Sequence, residues 1–237
     1  MRTKYRFKIK NYKLAALAFI LIAFFTYLGC WQLSRAHDKQ ALLDSYALRT
    51  THTPFSAHNL SAIQDWRFYR IQLSGTFDND HTFLLDNKTY ERRVGYEVYT
   101  PMHVNGFDTA ILIDRGFVPL GVSRNDLPKI RAITGKVTLT AMLNFPPLYL
   151  SLGKIVDHTH LKWPLRVEYI NLAELSNLLN YQLFPYVALM QPSDARAYPL
   201  SWQVVIMSPE RHLGYAVQWF ALALTLLILF VALNRVR

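Results

Sequence analysis

The residues of this chain with the clearest capacity for chemistry lie at the start of an uncharged run near the C-terminus. Residues 211–220 read Arg-His-Leu-Gly-Tyr-Ala-Val-Gln-Trp-Phe and lead into an apolar stretch that ends at Leu233. If this segment is helical, His212, Tyr215 and Trp219 lie on one face, because residues three, four and seven positions apart are neighbours on a helix. An imidazole at that position can ligate a metal, donate a hydrogen bond or carry a charge.

A second group of polar and aromatic residues lies at the end of the other apolar run, residues 14–34. Leu28, Trp31, Gln32 and Arg35 also share one helical face. Antiparallel packing of the two helices would bring the two faces together as a slot with aromatic walls, one imidazole, one amide and a guanidinium. Such a slot suits a flat amphiphile with anionic edge groups. Haem is the obvious example, because imidazole ligates its iron and arginine pairs with its propionates.

The alternative interpretation is that these residues belong to an ordinary membrane boundary. Tryptophan and tyrosine are common at the level of the lipid headgroups, where one edge of the ring is apolar and the other is wet. His212 would then cap backbone groups or hydrogen-bond at the interface. The residue pattern alone leaves both interpretations open.

The two apolar runs are each long enough to cross a membrane, since a helix rises 1.5 Å per residue and the hydrocarbon core is about 30 Å thick. Lysines and arginines precede the first run and follow the second, so the positive-inside rule predicts that both termini are cytoplasmic. The Lys-rich, Ser-poor N-terminus differs from a mitochondrial transit peptide, which favours a bacterial inner membrane and a periplasmic central domain. The predicted segments are a basic cytoplasmic tail (1–13), transmembrane helix 1 (14–34), a mainly-β periplasmic domain (35–211), transmembrane helix 2 (212–233) and a cytoplasmic tail (234–237).

The charge and the cysteine content narrow the function classes further. The net charge of +10 over 237 residues is concentrated partly in the tails, so it indicates membrane topology rather than nucleic-acid binding. The single cysteine, Cys30, excludes an intrachain disulfide and a Cys-x-x-Cys site. An apolar segment before Gly29-Cys30 is also compatible with a cleaved lipoprotein signal. We expect a retained anchor instead, because the apolar run is long and continues to Leu33.

The central region predicts an α+β domain built on an antiparallel, barrel-like β-sheet, because short alternating segments are separated by turn residues. Asn105-Gly106 is a strong tight-turn signal, and Arg115-Gly116 is interpreted as a strand end with a bulge or a close backbone approach. The first helix is expected to continue out of the membrane through residues 35–49. The predicted strands are 66–77, 81–86, 95–102, 109–118, 135–143, 163–170, 186–190 and 202–207, and a helix with Asn171 as N-cap is predicted at 172–179.

Signatures of common enzyme classes are absent from the sequence, including the nucleophile elbow, the Walker loop, Gly-x-Gly-x-x-Gly and His-Glu-x-x-His. We therefore expect a protein that is not an enzyme. His158 and His160 form a His-x-His pair that could grip a metal on a strand. Without further ligands nearby, the pair is interpreted as part of a solvated loop.

Four segments resemble, in order, the motifs of the Surfeit locus protein 1 (Surf-one) family of cytochrome c oxidase assembly factors. They are Gly29-x-Trp31-Gln32-x-x-Arg35-x-x-x-Lys39, Gly95-Tyr96-Glu97-Val98-Tyr99-Thr100-Pro101, Ile111-Leu112-Ile113-Asp114-Arg115-Gly116-Phe117-Val118-Pro119 and His212-Leu213-Gly214-Tyr215-Ala216-x-x-Trp219-Phe220. The chain departs from the family pattern at Asp114, where the family often has Asn, and at Phe117, where it usually has Trp. Phe117 lacks the indole N–H donor, so a role for that hydrogen bond is in doubt here.

The resemblance implies a role in maturing haem-copper oxidases, with haem a handled for subunit I. It matches His212 to the histidine proposed to contact the haem, which makes His212 an expected axial or near-axial iron ligand and haem a an expected transient cofactor. The expected partners are subunit I, the haem a synthesis machinery and the lipid bilayer, with no nucleic acid. The expected cofactor-binding residues are His212, Trp31, Gln32, Arg35, Arg115, Arg211, Tyr215 and Trp219.

Two further hypotheses remain beside a haem-holding assembly factor. The protein is a scaffold that binds oxidase subunits and never touches haem, or, third in rank, a membrane-anchored enzyme that uses its outer domain. A haem absorption band on the purified protein distinguishes the first hypothesis from the scaffold.

Overall fold

The structure is a computed structural model that describes residues 6–9, 11–56, 65–121, 126–147, 162–200 and 202–236. It divides into two compact units. The helical unit comprises Met1–Tyr46 and Gln203–Arg237, and the barrel unit comprises Ala47–Trp202. The helices are α1 (Tyr12–Thr51), α2 (Leu172–Leu179) and α3 (Pro209–Asn234). The strands are β1 (Arg6–Phe7), β2 (Phe55–Ser56), β3 (Arg70–Phe77), β4 (Phe83–Tyr90), β5 (Arg93–Val104), β6 (Ala110–Pro119), β7 (Val137–Asn144), β8 (Leu165–Val167), β9 (Leu183–Met190) and β10 (Arg235–Val236).

The helical unit is formed by α1 and α3, which are 40 and 26 residues long. Both helices are long and apolar enough to cross a membrane, and most side chains in their apolar stretches are exposed. That exposure is typical of lipid-facing helices and not of the core helix of a globular domain. The Asn11 Oδ1 accepts hydrogen bonds from the backbone N–H groups of Lys13 and Leu14 at 3.0 and 3.2 Å, which caps the start of α1. The two predicted apolar helices and the extension of α1 beyond residue 35 are confirmed.

A small two-stranded sheet joins the two chain ends of the helical unit. β1 pairs antiparallel with β10, with Arg6 opposite Val236 and Phe7 opposite Arg235. The backbone N–H of Lys8 then donates to the carbonyl of Asn234 at 3.0 Å. These bonds hold the segment before α1 beside the segment after α3, so the two helices begin and end at a common level.

The barrel unit is a closed sheet of five strands in the order β3-β7-β9-β6-β5, because β5 also pairs with β3. β4 and β8 extend the sheet from β5, and β2 pairs with the beginning of β3, at Ile71 and Gln72. The β3–β5, β3–β7, β4–β5, β5–β6 and β7–β9 pairs are antiparallel, whereas β2–β3, β4–β8 and β6–β9 are parallel. The predicted fold class, two apolar helices and an α+β domain on a barrel-like sheet, is confirmed, but the sheet is mixed and not purely antiparallel as predicted.

The central strands of the barrel unit are covered on both faces. Ile111 and Ile113 of β6 belong to one buried cluster, whereas Leu112 between them belongs to a second cluster with Leu175 and Leu179 of α2. Alternate residues of a strand point to opposite faces, so the barrel interior lies on one side of β6 and α2 covers the other. The near-continuous burial of β6 follows from this arrangement.

The predicted helix at 172–179 and its cap are confirmed. The Asn171 side chain accepts hydrogen bonds from the backbone N–H groups of Ala173 and Glu174 at 3.1 and 3.3 Å. Asn180 ends the helix in the left-handed region at φ 59°, a conformation that asparagine tolerates better than most residues.

Several strand predictions need correction. The predicted strands at 66–77 and 163–170 are shorter, at Arg70–Phe77 and Leu165–Val167. Residues 202–207 form no strand; they run as irregular backbone between Pro199 and the Ser208-Pro209 start of α3, and no strand edge pairs with them. β9 begins at Leu183 and not at residue 186. It pairs with β6 from Leu183 onward, with a register shift before Val187. Arg115-Gly116 lies inside β6 and not at its end.

The bulge at Arg115-Gly116 explains that difference. Glu97 pairs with Phe117 and Tyr99 pairs with Asp114, so two residues of β6 oppose one residue of β5. Gly116 has φ +100°, and a Cβ there would lie 2.6 Å from the carbonyl oxygen of Tyr198. The close backbone approach predicted for this glycine is therefore present, at a bulge in the middle of the strand.

Candidate functional site

The two long helices of the helical unit pack antiparallel. Phe19 near the start of α1 contacts Phe230 near the end of α3, with ring centroids 5.2 Å apart. Six residues further along α1, Phe25 stacks on Trp219 at 5.6 Å and an interplanar angle of 27°. Contacts that move forward along α1 move backward along α3, so Trp219, one of the predicted site residues, lies between the helices.

Small residues allow the two helices to approach closely beyond the Phe25–Trp219 contact. Gly29 of α1 is buried, and a Cβ added to it would lie 2.6 Å from Cε1 of Phe220. On α3, Ala216 and Ala223 are buried in the same face. Without a large side chain at these positions, backbone and ring come into direct contact, which is the usual way in which membrane helices associate.

His212 and Gln32 meet at the far end of this contact. The imidazole Nδ1 of His212 lies 2.7 Å from Oε1 of Gln32, and only 7% of His212 is exposed. With the amide oxygen in this orientation, Nδ1 is the donor of this hydrogen bond, because an amide oxygen accepts but cannot donate. In the neutral imidazole, Nε2 then has a free lone pair.

The second ring nitrogen of His212 is buried and has no hydrogen-bond partner among the described residues. A buried polar atom without a partner costs free energy, so such atoms often mark a ligand position. Histidines that bind metals usually donate their other N–H to a fixed acceptor and coordinate through the remaining nitrogen. Nε2 of His212 has this arrangement.

Two predicted site residues of α1 lie to one side of this contact. At roughly 100° of rotation per residue, Arg35 and Trp31 lie roughly 60° and 100° from Gln32 in the same rotational sense. Trp31 is 46% exposed, and the Arg35 side chain is 45% exposed. Arg35 lies 3.5 Å from Asp38, a solvent-exposed pair that contributes little to stability.

Two predicted site residues of α3 lie in the matching position. Tyr215 and Arg211 are rotated from His212 by roughly the same 60° and 100°, and in the same sense along the chain. Because the helices run antiparallel, equal rotations of this kind bring both sets to the same side of the pair. Tyr215 is 45% exposed and Arg211 is also exposed. We call this side the open flank; it consists of Trp31, Arg35, Arg211 and Tyr215.

The open flank gives the predicted slot a different form from the one expected. Its two aromatic rings and two guanidinium groups do not fill the helix–helix contact, which is occupied by Gln32, His212, Phe25 and Trp219. They present apolar faces and positive charge along one side of a buried imidazole instead. Such a surface can accept a flat apolar molecule with anionic edges.

A comparison with models of known protein families identifies the family of the chain. The model of the SURF1 family matches residues 19–224, which include most of both long helices and the whole barrel unit. The chain belongs to the SURF1 family. The resemblance found in the four sequence motifs is thereby confirmed.

The relatives that match this SURF1-family protein align over shorter stretches. A SURF1-like protein of Monosiga brevicollis is 28% identical over 103 residues, which cover 39% of this chain and 40% of the relative. Uncharacterized SURF1-like proteins of Mycobacterium bovis and Mycobacterium tuberculosis are 30% identical over 139 residues, covering 54% of this chain and 50% of theirs. The chain therefore spans half or less of the length of these curated relatives.

Arg115, another predicted site residue, lies in the barrel unit of this SURF1-family protein. Its side chain is fully buried, and its guanidinium donates to the backbone carbonyl of Arg131 at 2.6 Å. The guanidinium also lies 5.3 Å from the ring centre of Tyr198, and burial lowers the pKa of Arg115. The contact between Arg115 and a propionate stays a prediction, and these contacts favour a structural role.

Tyr198 ties together two irregular segments that sequence reasoning missed. Its hydroxyl accepts a hydrogen bond from the backbone N–H of Arg131 at 2.9 Å, and its own N–H donates to the carbonyl of Arg115. The carbonyl of Pro199 accepts from Phe117 at 2.7 Å. The segment before α3 is thus held against the bulge of β6, and no periodic pattern in the sequence signals such a contact.

A pair of buried carboxyl groups lies beside the same bulge. Glu97 accepts a hydrogen bond from the Tyr99 hydroxyl at 3.3 Å and lies 3.3 Å from Nζ of Lys88. Asp114 accepts from the backbone N–H of Gly116 at 2.9 Å. Burial, and next the charge of Glu97, raise the pKa of Asp114 well above its ordinary value of 3.8. Asp114 is one of the two positions where the chain departs from the family pattern.

A third polar cluster pins the turn between β3 and β4. One carboxylate oxygen of Asp78 lies 2.7 Å from Nδ1 of His81 and accepts from the Tyr181 hydroxyl at 2.7 Å. Burial alone would raise the pKa of Asp78, but the hydrogen bonds from Tyr181 and His81 outweigh it and lower the pKa. Burial and the same carboxylate raise the pKa of the Tyr181 hydroxyl.

The described residues contain no group of three or more His, Cys, Asp or Glu side chains that could hold a metal ion. The His158–His160 pair lies outside the described residues. Haem iron needs only one protein ligand to be held, since the porphyrin supplies four nitrogens. His212 is the residue of the helical unit whose surroundings fit that requirement.

Proposed function

We propose that this protein is an assembly factor for haem-copper cytochrome c oxidase that binds haem a at the outer edge of the membrane and assists its insertion into subunit I. The observation that carries the haem part is the buried Nε2 of His212, which lacks a partner among the described residues while Nδ1 is held by Gln32. Membership of the SURF1 family, a family of non-enzymatic oxidase assembly factors, supports the oxidase part.

The residues of the helical unit divide the binding of haem a between them. Nε2 of His212 would supply the protein ligand to the iron, and haem a would supply the iron centre. The exposed rings of Trp31 and Tyr215 offer apolar faces to the macrocycle. Arg35 and Arg211 offer guanidinium groups to the propionates, which they recognise by charge-assisted hydrogen bonds.

The open flank also suits release of the cofactor. A deep cavity would enclose haem a, whereas half-exposed side chains hold it from one side. One protein ligand and a few surface contacts give binding that a second protein can outcompete. The proposed cycle is therefore capture and transfer and not permanent retention, and the proposed partners are subunit I and the haem a synthesis machinery.

The proposed location is a bacterial inner membrane, with both termini cytoplasmic and the barrel unit periplasmic. The lysines and arginines before α1 and after α3 support this orientation through the positive-inside rule. The lipid bilayer is then a partner along the exposed apolar faces of both helices. Much of the net charge of +10 follows from this topology, and no nucleic acid is proposed as a partner.

The function is tested in a bacterium that makes haem a and lacks its own SURF1-family proteins. The cells carry no gene for this protein, the wild-type gene, or the His212→Ala or His37→Ala variant. Subunit I is purified from each, and its haem a content is measured. His37 is an exposed histidine of α1 and serves as the matched control. We expect wild type and His37→Ala to raise the haem a content several-fold and His212→Ala to leave it near the level without any copy.

The same experiment identifies the protein-only scaffold. If His212→Ala restores haem a in subunit I fully and captures subunit I as well as wild type does, the haem part of the proposal is wrong and a scaffold role takes its place. If wild type itself changes nothing in the oxidase, the assembly role is wrong.

A further inference from the structure

We propose that Gln32 is a positioning residue, which holds His212 in the tautomer with the proton on Nδ1 so that Nε2 is the nitrogen available to iron. This inference rests on the proposed haem function and deepens it. It places Gln32 behind the ligand and not against the haem, so its effect on binding passes through the imidazole.

The geometry of the contact supports this assignment. The Nδ1–Oε1 distance of 2.7 Å is that of a strong hydrogen bond, and it crosses from α3 to α1. His212 is held in a buried position, so its ring has little freedom to find another acceptor. A hydrogen bond to one ring nitrogen decides which nitrogen carries the proton, and therefore which one can bind a metal.

The opposite orientation of the amide gives a less favourable site. If Gln32 presented its NH₂ group, Nδ1 would be the acceptor and Nε2 would carry the proton. The buried Nε2–H would then be a donor without an acceptor among the described residues, and it could not coordinate iron. With the oxygen facing Nδ1, Nε2 keeps its lone pair but has no partner among the described residues. A metal ion can accept that lone pair.

An amide at this position also fits a protein that must release its cofactor. A carboxylate would accept the Nδ1 proton more strongly and make the imidazole a better donor to iron. It would also place a charge at the edge of the apolar span, which is costly. A neutral amide fixes the tautomer and adds no charge, so it orients the ligand while keeping the iron bond weak enough for transfer.

The tautomer is measured first, without haem. Full-length protein with ¹⁵N-labelled histidine is purified in detergent, and the ring nitrogen signals of His212 are assigned by their loss in His212→Ala. We expect wild type to show a protonated Nδ1, Gln32→Glu to keep it, and Gln32→Leu to move at least half of His212 to the Nε2-protonated form. Gln40→Leu removes an exposed amide that bonds Asp44 on the same helix, and it should change nothing.

A wild-type His212 with its proton on Nε2, or a tautomer that Gln32→Leu leaves unchanged, would overturn the proposal. The far-ultraviolet circular dichroism of each variant shows that it is folded. Gln32→Glu keeps the inference testable if Gln32→Leu fails to fold, because it preserves the acceptor and should preserve the tautomer.

Haem a titration of the same samples follows. Loss of a group that orients a metal ligand typically weakens binding 10- to 100-fold, so we expect about that loss for Gln32→Leu and tighter binding than wild type for Gln32→Glu. If Gln32→Leu changes the tautomer yet binds haem a as tightly as wild type, the positioning role is wrong while the proposed function stands. If wild type binds no haem a, the proposed function fails, together with the iron-binding part of this inference.

Discussion

Nδ1 of His212 lies 2.7 Å from Oε1 of Gln32, although 180 positions separate the two residues in the chain. The contact joins the end of the apolar part of α1 to the first turn of α3. It leaves Nε2 buried and without a hydrogen-bond partner among the described residues. The site thus combines a buried ring, a hydrogen-bonded Nδ1 and a second ring nitrogen that has no partner among the described residues.

The first prediction concerns the close approach of the two helices. Gly29→Leu places a side chain where even a Cβ would lie 2.6 Å from the ring of Phe220. We expect the helices to separate and the protein to lose about 1–3 kcal/mol of stability, because a rigid ring cannot withdraw from a packed contact without cost. Thermal unfolding in detergent, followed by circular dichroism, measures the change.

Gly214→Leu is the matched control for that variant. It lies on α3, and a Cβ there meets nothing within 4 Å, so we expect no loss of stability and a slight gain from better helix propensity. Equal melting temperatures for the two variants would show that Gly29 is not needed for packing.

The second prediction concerns the buried carboxyl pair. Because the folded-state pKa of Asp114 is raised, the folded protein loses stability as the pH rises from the ordinary value of 3.8 through that raised value. Each unit by which the pKa rises costs about 1.4 kcal/mol once the pH exceeds it. Asp114→Asn removes this loss and keeps the oxygen that accepts from Gly116.

We therefore expect Asp114→Asn to be more stable than wild type at pH 8 and equally stable near pH 4. Denaturant unfolding of the full protein at both values checks this. If wild type instead gains stability relative to the variant as the pH rises over this range, the pKa of Asp114 is not raised in the folded state.

The third prediction concerns the turn held by Asp78. Its folded-state pKa is lowered, so its contribution to stability is present above the ordinary value of 3.8 and is lost as the pH falls through the lower folded value. Asp78→Asn should cost about 1–2 kcal/mol at neutral pH, because His81 and Tyr181 lose a charged acceptor. The difference between variant and wild type should shrink as the pH falls below 3.8, and an undiminished difference would point to packing instead.

The fourth prediction concerns Arg115. Arg115→Leu removes the donor to the carbonyl of Arg131 and the contact with the ring of Tyr198, so we expect the barrel unit to lose about 2–4 kcal/mol. The haem a affinity of the folded fraction should stay within twofold of wild type. Arg93→Leu, at an exposed position of β5, should change neither quantity. A large loss of haem affinity in folded Arg115→Leu would instead support its predicted contact with a propionate.

Much of the fold follows from local patterns in the sequence. Two uncharged runs of sufficient length predicted the apolar helices. Alternating residues in segments such as 135–143 predicted the strands. Both patterns are local, so they can be read without knowing which segments meet. The same helical period placed Gln32 and His212 on facing sides of two antiparallel helices. Whether the two faces meet depends on how the helices pack, and the hydrogen bond between His212 and Gln32 shows that they meet at this point.

The features that the sequence did not reveal depend on distant segments. Barrel closure requires β3 to pair with β5, and periodicity carries no signal for such a pairing. From the sequence, Arg115 was interpreted as the end of a strand. Its partners, the carbonyl of Arg131 and the ring of Tyr198, lie in irregular backbone that no sequence pattern predicts. The slot was expected to be enclosed by its aromatic residues, whereas the rotation of each helix places Trp31 and Tyr215 on an open flank.

The visible absorption spectrum of the purified protein during titration with haem a tests the central claim most directly. We expect wild type and the control His37→Ala to develop the band of an imidazole-ligated haem a at a protein-to-haem ratio near one, and His212→Ala to lose that band or bind at least tenfold more weakly while remaining folded. A folded His212→Ala protein that gives the same spectrum and the same affinity as wild type would contradict the assignment of His212 as the haem ligand.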